Sequence, residues 1–361
     1  MPTLSKQALQ QYLHTRFGPK ATLLSYEVIG KASSKGEQKR YGYGTPVKLT
    51  FRMGRQRQSA VLETMRPGPF GHEHMADRAQ AMLWDYDSYG RLARHVKTLD
   101  VGAFNRSQRL FSVAEAREFF VLNEWAEGDS YHLDLERLAK GQTLRPLDRQ
   151  RTITLARYLA EIHAAKRRDA DLYRRRLREL IGHGECIMWL TDSYPKQYGF
   201  ITGDLLRTIE EACNRWRWRL HDKAGRLSQV HGDFHPYNVL FRTGTDFSVL
   251  DRSRGEWGEP ADDLTAMTIN YLLSSLIRWG KLRGPFEVLF RLFWDTYLEA
   301  SGDKGVTGTA APFFAFRGLV VASPVWYPNL SIDVRRGLFH FIENVLDVPR
   351  FEPERVNEYC G

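Results

Sequence analysis

Hydrophobic periodicity changes once along this chain and is then interrupted once, and those two events limit what it can fold into. In the first third, "ATLLSYEVIG" (21–30), "GTPVKLTFRMG" (44–54) and "RQSAVLETM" (57–65) predict three strands of one antiparallel sheet, preceded by a helix over 5–16. Residues 74–93 carry a helical pattern, and "EFFVLNEWAEGDSY" (118–131) predicts an apolar strand. From about residue 148 helices dominate; Leu155, Leu159 and Ile162, spaced by four and three, fall on one helix face. The interruption is "VHGDFHPYNVLFRTGTDFSVLDRSRG" (230–255), strand-like and unusually polar. The expected fold is α+β, with a sheet-rich first third, a short joint near 123–130 and a helical remainder.

At 361 residues and 42% apolar content the chain can bury a full core. No apolar run approaches the roughly 20 residues of a membrane-spanning helix, and "MPTLSKQALQQYL" lacks the apolar centre of a secretory signal, so a cytoplasmic location is expected. Cys186, Cys213 and Cys360 are widely spaced and form no metal or disulfide pattern, which predicts reduced thiols. A formal charge of +9 favours anionic partners. The "RWRWRL" run (215–220) interleaves bases and aromatics, but on a helix these residues spread around the circumference, so nucleic acid is not the expected partner.

Within the interruption, "VLF" and "FSVL" flank the turn residues "RTGTD", which predicts a hairpin over 239–250. A turn centred between Gly244 and Thr245 puts Asn238 opposite Asp251 at its open end, with Asp233 five residues before Asn238. Two converging oxygen ligands suit a hard cation that keeps water and phosphate ligands, magnesium and not zinc. A carboxylate beside such a metal–phosphate complex can orient an attacking hydroxyl, so the pattern points to phosphoryl transfer.

The residues also carry a resemblance. "HGDFHPYN" resembles the HGDxxxxN catalytic loop of the aminoglycoside phosphotransferase and choline kinase-like family, distant relatives of protein kinases; "VLDRSRGEWGEPADDL" resembles the segment bearing the metal-binding Asp. "FFVLNEWAEG" is similar to the strand and hinge between lobes, and "LARYLAEIHA" to the helix before the catalytic loop. The resemblance, over roughly residues 20–270, implies a bilobal protein kinase-like fold: an N-terminal lobe with an antiparallel sheet (1–122) that binds nucleotide, a hinge (123–130), and a larger, mainly helical C-terminal lobe (131–361) that carries catalysis and the acceptor. It implies ATP and Mg2+ as cofactors, Asp233 as the catalytic carboxylate, and Asn238 and Asp251 as the metal ligands. Glu124, Trp125 and Ala126 would offer backbone hydrogen bonds to adenine. His231 would support the loop, His235 would contact phosphate or acceptor, and Asp263 would order the lobe.

One departure stands out. The third strand of the family usually carries a lysine for the nucleotide phosphates, and here "VLET" puts Glu63 there. A carboxylate repels phosphate, so Arg78, Lys48, and Lys31 with Ser33 and Ser34 in the 30–44 loop are the alternative phosphate contacts. The expected activity is transfer of the γ-phosphoryl group of ATP to a hydroxyl of a small molecule, neutral or anionic given the arginine-rich segments; the alternative is a pseudokinase that binds nucleotide without efficient transfer. "FGHEHMADR" (His72, Glu73, His74) and "GHGEC" (Cys186) lack the further partners that metal or thiol chemistry needs, and the aromatics around Arg317 are core or acceptor-pocket wall.

Overall fold

The computed structural model describes residues 4–29, 44, 46–68, 71–89, 91, 94–252 and 254–361. The chain divides into two compact units, Met1–Asn123 and Glu124–Gly361. In the first, helix α1 (Lys6–Phe17) starts at Ser5, whose hydroxyl accepts from the amide of Ala8 at 3.1 Å. Strands β1 (Ala21–Val28), β2 (Val47–Met53) and β3 (Gln56–Leu62) form the expected antiparallel sheet in that order. Gly54 opens the two-residue turn between β2 and β3 at φ +61°, a conformation only glycine adopts at no steric cost. Leu9 and Leu13 of α1 pack on Ala21, Leu23, Val47, Leu49 and Phe51, so alternate residues of β2 face this small core.

Helix α2 (Met75–Tyr89) buries none of its residues, and among the described residues strands β4 (Gly102–Phe104) and β5 (Leu110–Ser112) pair only with each other. The strand expected within 118–131, ending at Glu124 and Gly128, is not there: of those residues only Asp129–Ser130 (β6) are strand, and Phe120 and Leu122 are 90% and 91% exposed. An apolar run becomes a strand only where a ladder partner exists, and among the described residues none pairs with 118–128.

The second unit continues with α3 (His132–Ala139), α4 (Pro146–Ala164), α5 (Ala170–Gly182), α6 (Ile187–Ser193), β7 (Gln197–Tyr198), β8 (Ile201–Thr202), α7 (Gly203–Leu220) and β9 (Ser228–Gln229). It ends with β10 (Val239–Phe241), β11 (Phe247–Val249), β12 (Trp257–Gly258), α8 (Ala261–Trp279), α9 (Gly284–Ser301), α10 (Ala311–Ala322), α11 (Ile332–Asp347) and α12 (Val356–Tyr359). Leu155 and Leu159 of α4 are fully buried and Ile162 packs against them, as their spacing predicts. Helices α8 and α10 are buried on nearly every side, and α10 shows little amphipathic contrast in its sequence. A Cβ on Gly318 would lie 2.7 Å from Ile342 Cγ1, so glycine is what lets α10 pack this closely on α11. Among the described residues no helix is long and apolar enough to cross a membrane, and all three cysteines are buried thiols.

Candidate active site

Strands β9 and β12 pair Gln229 with Trp257 and Ser228 with Gly258, so the segment between them is a closed excursion from the helical body. Its neck is tightened by the Val230 amide donating to the Glu256 carbonyl at 3.0 Å and by Arg252 donating to the Val230 carbonyl at 3.0 and 2.8 Å. Within it, β10 and β11 form the expected hairpin, but one residue out of the expected register. Val239 faces Val249 and the Leu250 amide donates to the Asn238 carbonyl at 2.9 Å, so Leu250 and not Asp251 stands opposite Asn238. The reason is the connection Arg242–Asp246: the Arg242 amide donates to the Asp246 carbonyl at 2.8 Å, the two side chains pair at 2.6 Å, and Gly244 at φ +66° forms the middle of an odd-numbered loop. Asp251 follows with φ +55°, a left-handed conformation rare outside glycine and costing of order 1–3 kcal/mol.

Asp263, in the first turn of α8 and fully buried, holds the loop from below: its two oxygens accept from the amides of His231 and Gly232, both at 2.7 Å. His163 Nε2 donates to the same carboxylate at 3.1 Å, and its Nδ1 lies 2.9 Å from the Tyr297 hydroxyl. Burial pushes the Asp263 carboxyl up, but the hydrogen bond and charge of His163, with the His231 amide, outweigh it and hold it below the ordinary carboxylate range. Gly232 sits at φ +87° to make this turn. His231 supports the loop as expected: its Nδ1 accepts from the Asp233 amide at 3.3 Å.

Asp233 is thereby presented at the wall of a cavity. Arg317 of α10, 5% exposed, donates to Asp233 Oδ1, to the Gly232 carbonyl at 2.9 Å and to Asp262 Oδ1 at 2.6 Å. His235 accepts from the Tyr237 amide at 3.2 Å through Nδ1, which leaves Nε2 as the protonated nitrogen 3.5 Å from Asp233 Oδ2. Burial works against ionisation of Asp233, but His235, Arg317 and Arg254 together hold its carboxyl well below the usual range. Asp262 goes the other way, because for it burial outweighs Arg317. The sequence assigned Arg317 to a pocket wall and missed this bridge to Asp233; a single arginine inside "APFFAFRGLVVA" was the signal, since a charge buried in an apolar helix needs a carboxylate.

Asn238 donates Nδ2 to the Asp233 carbonyl at 3.0 Å, which fixes the amide; among the described residues its Oδ1 accepts no hydrogen bond. The Asp251 carboxylate is exposed and, among the described residues, makes no hydrogen bond or ion pair. Two such oxygen donors fit a hard divalent cation that takes its remaining ligands from water and phosphate. Among the described residues no group of three or more His, Cys, Asp and Glu is arranged to hold a metal. The thiol of Cys186 is buried, which pushes it up to about 11 against the opposing charge of Arg254.

Of the nucleotide candidates, Lys31, Ser33 and Ser34 lie outside the described residues. Glu124, Trp125 and Ala126 lie in a stretch without regular secondary structure and make no backbone–backbone hydrogen bond among the described residues; the Trp125 indole donates to Glu127 at 2.8 Å. Lys48 lies opposite Glu27 and Val61 on the sheet, with Nζ 3.8 Å from Glu27 Oε1. Arg78 Nη1 is committed to the carbonyls of His72, Glu73 and His74 at 2.8, 3.0 and 2.8 Å. Glu63 is exposed just past the end of β3. Lys48, Glu63 and Arg78 share the lining of one broad cavity of about 1860 Å3 in the first unit, well above the roughly 300–1,000 Å3 of ordinary ligand pockets.

Against known proteins, the model of the phosphotransferase enzyme family matches residues 86–285, more than half of the chain, including every group of the loop just described; Lys48, Glu63 and Arg78 precede it. No curated protein matches the sequence. Among solved structures, a Plasmodium vivax ethanolamine kinase is 11% identical with a TM-score of 0.36, over 94% of this chain and 80% of its own. An amicoumacin kinase in complex with AMP-PNP and Ca2+ is 15% identical with a TM-score of 0.43, over 98% and 97%. A choline kinase from Cryptosporidium parvum is 9% identical with a TM-score of 0.34, over 99% and 92%.

Proposed function

The chain belongs to the phosphotransferase enzyme family, and from that premise we propose that it is a small-molecule kinase, moving the γ-phosphoryl group of ATP to a hydroxyl of its acceptor. In this reading residues 1–122 are the nucleotide lobe, 123–130 the hinge with Glu124–Ala126 facing adenine, and 131–361 the lobe of catalysis and acceptor. The observation that carries it is the Asp233 carboxylate, kept ionised at a cavity wall by Arg317 and His235 while Asp263 clamps the backbone behind it.

An ionised carboxylate held in place at this wall can accept a hydrogen bond from the acceptor hydroxyl and align it for in-line attack. Arg317 occupies Oδ1 and leaves Oδ2 toward His235, so Oδ2 is the oxygen that receives the hydroxyl. Asn238 and Asp251 are the residues that would hold Mg2+, which would offset the charge of the ATP phosphates. Asn238, tied to the Asp233 carbonyl, keeps that ligand in register with the carboxylate. Lys48 is the candidate phosphate cation with the weakest present commitment, an exposed pairing at 3.8 Å.

The test is label transfer from [γ-32P]ATP to small hydroxylated acceptors across a Mg2+ titration. Asp251→Ala should raise the Mg2+ concentration needed for half-maximal transfer at least tenfold; transfer that is indifferent to Mg2+, or to this substitution, contradicts the assignment.

A further inference from the structure

The cavity at Asp233 is small, about 270 Å3, and its wall includes His235, Tyr237, Arg254, Trp326 and Tyr327. At the low end of ligand pockets, it admits an acceptor of metabolite size. Three aromatic rings beside a carboxylate are also what a quaternary ammonium ligand would want, so the charges decide the class. Asp233 is already compensated by Arg317 and faced by His235, and Arg317 is itself consumed by Asp233, Asp262 and the Gly232 carbonyl. The cavity's other lining carboxylate, Glu185, is largely exposed and lies 3.8 Å from Arg254, so little uncompensated negative charge is left to attract a cation.

Arg254 is different. Its side chain is 25% exposed, yet among the described residues its only hydrogen bond is to the Cys186 sulfur at 3.4 Å. The nearest carboxylate oxygen, on the largely exposed Glu185, is 3.8 Å away, beyond hydrogen-bond reach. The Phe316 ring supports the guanidinium at 4.9 Å. A guanidinium held in place by a thiol and a ring, with most of its donors unspent and opening on a cavity, is a fork waiting for a planar or tetrahedral anion.

We propose that the acceptor is a small hydroxylated anion, whose carboxylate or phosphate is gripped by Arg254 while its hydroxyl meets Asp233. The inference rests on the phosphotransferase reading above and names its substrate class. The aromatic rings then cover the carbon skeleton, and Arg254 sets specificity without touching the reacting atoms.

The experiment uses the full chain, [γ-32P]ATP, Mg2+ and a deproteinised cell extract split by ion exchange into anionic, neutral and cationic fractions. Acceptor activity is expected in the anionic fraction; phosphatase pretreatment abolishes it if the acid group is a phosphate ester and spares it if it is a carboxylate. Arg254→Gln should raise KM for that acceptor at least tenfold, with a smaller fall in kcat, and Arg254→Lys should recover part of the loss. Acceptor activity confined to the neutral or cationic fraction, or a KM unmoved by Arg254→Gln, overturns this inference and leaves the kinase reading standing. No transfer to any fraction overturns both.

Discussion

Asp263→Asn isolates the clamp that shapes the catalytic loop. The change keeps size and shape, but an amide has one acceptor oxygen where the carboxylate has two, and both are in use at 2.7 Å by the His231 and Gly232 amides. One charge-assisted bond is lost and one buried donor is turned against an NH2 group, a cost of roughly 2–4 kcal/mol. For a unit the size of Glu124–Gly361 this lowers Tm by roughly 5–15 °C. Calorimetric scans of both proteins read it directly, and pH supplies an internal control. The Asp263 carboxyl is held below its ordinary value in the fold, so its stabilisation is complete above the unfolded value of about 3.9 and is lost as pH falls through the lower folded value. The gap between native protein and variant should therefore be constant between pH 7 and about 5 and narrow below about 4. A Tm shift under about 2 °C at pH 7, or a gap that widens in acid, refutes the reasoning.

Other perturbations follow from the same contacts. Arg317→Leu strands Asp233 and Asp262 without their cation and should cost roughly 3–5 kcal/mol in unfolding experiments, part of it recovered by adding Asp262→Asn. Asp251→Gly relieves the left-handed backbone at φ +55° and should leave stability unchanged or raised by up to about 1 kcal/mol, while the Mg2+ requirement of transfer rises as for Asp251→Ala; a loss of stability would show the strain argument wrong. Gly318→Ala drives a methyl into Ile342 and should cost roughly 1–3 kcal/mol, with Ile342→Ala in the same chain making the two effects clearly non-additive.

The sequence made the sheet, the α4 stripe and the polar excursion readable because each is a local pattern: alternation in β2, spacings of three and four at Leu155, Leu159 and Ile162, turn residues in 242–246. What it left hidden depends on partners far along the chain. Arg317 meets Asp233 across 84 positions, and no local rule joins them. The hairpin register turned on whether the connection held an even or odd number of residues, a choice made by the Arg242–Asp246 pairing, and one residue was enough to replace Asp251 by Leu250 opposite Asn238. The apolar run at 118–122 failed as a strand for want of a ladder partner, which composition cannot report. The Asp263 clamp was half legible: the sequence assigned it an ordering role, but its acceptance from two loop amides at once needed the fold.

The central claim is that Asp233 orients the acceptor hydroxyl for attack on ATP. Asp233→Asn tests it most directly, with transfer and ATP affinity measured on the same preparation. The account predicts transfer reduced roughly 10²–10⁴-fold with ATP binding retained; a variant that transfers at close to the native rate would contradict it.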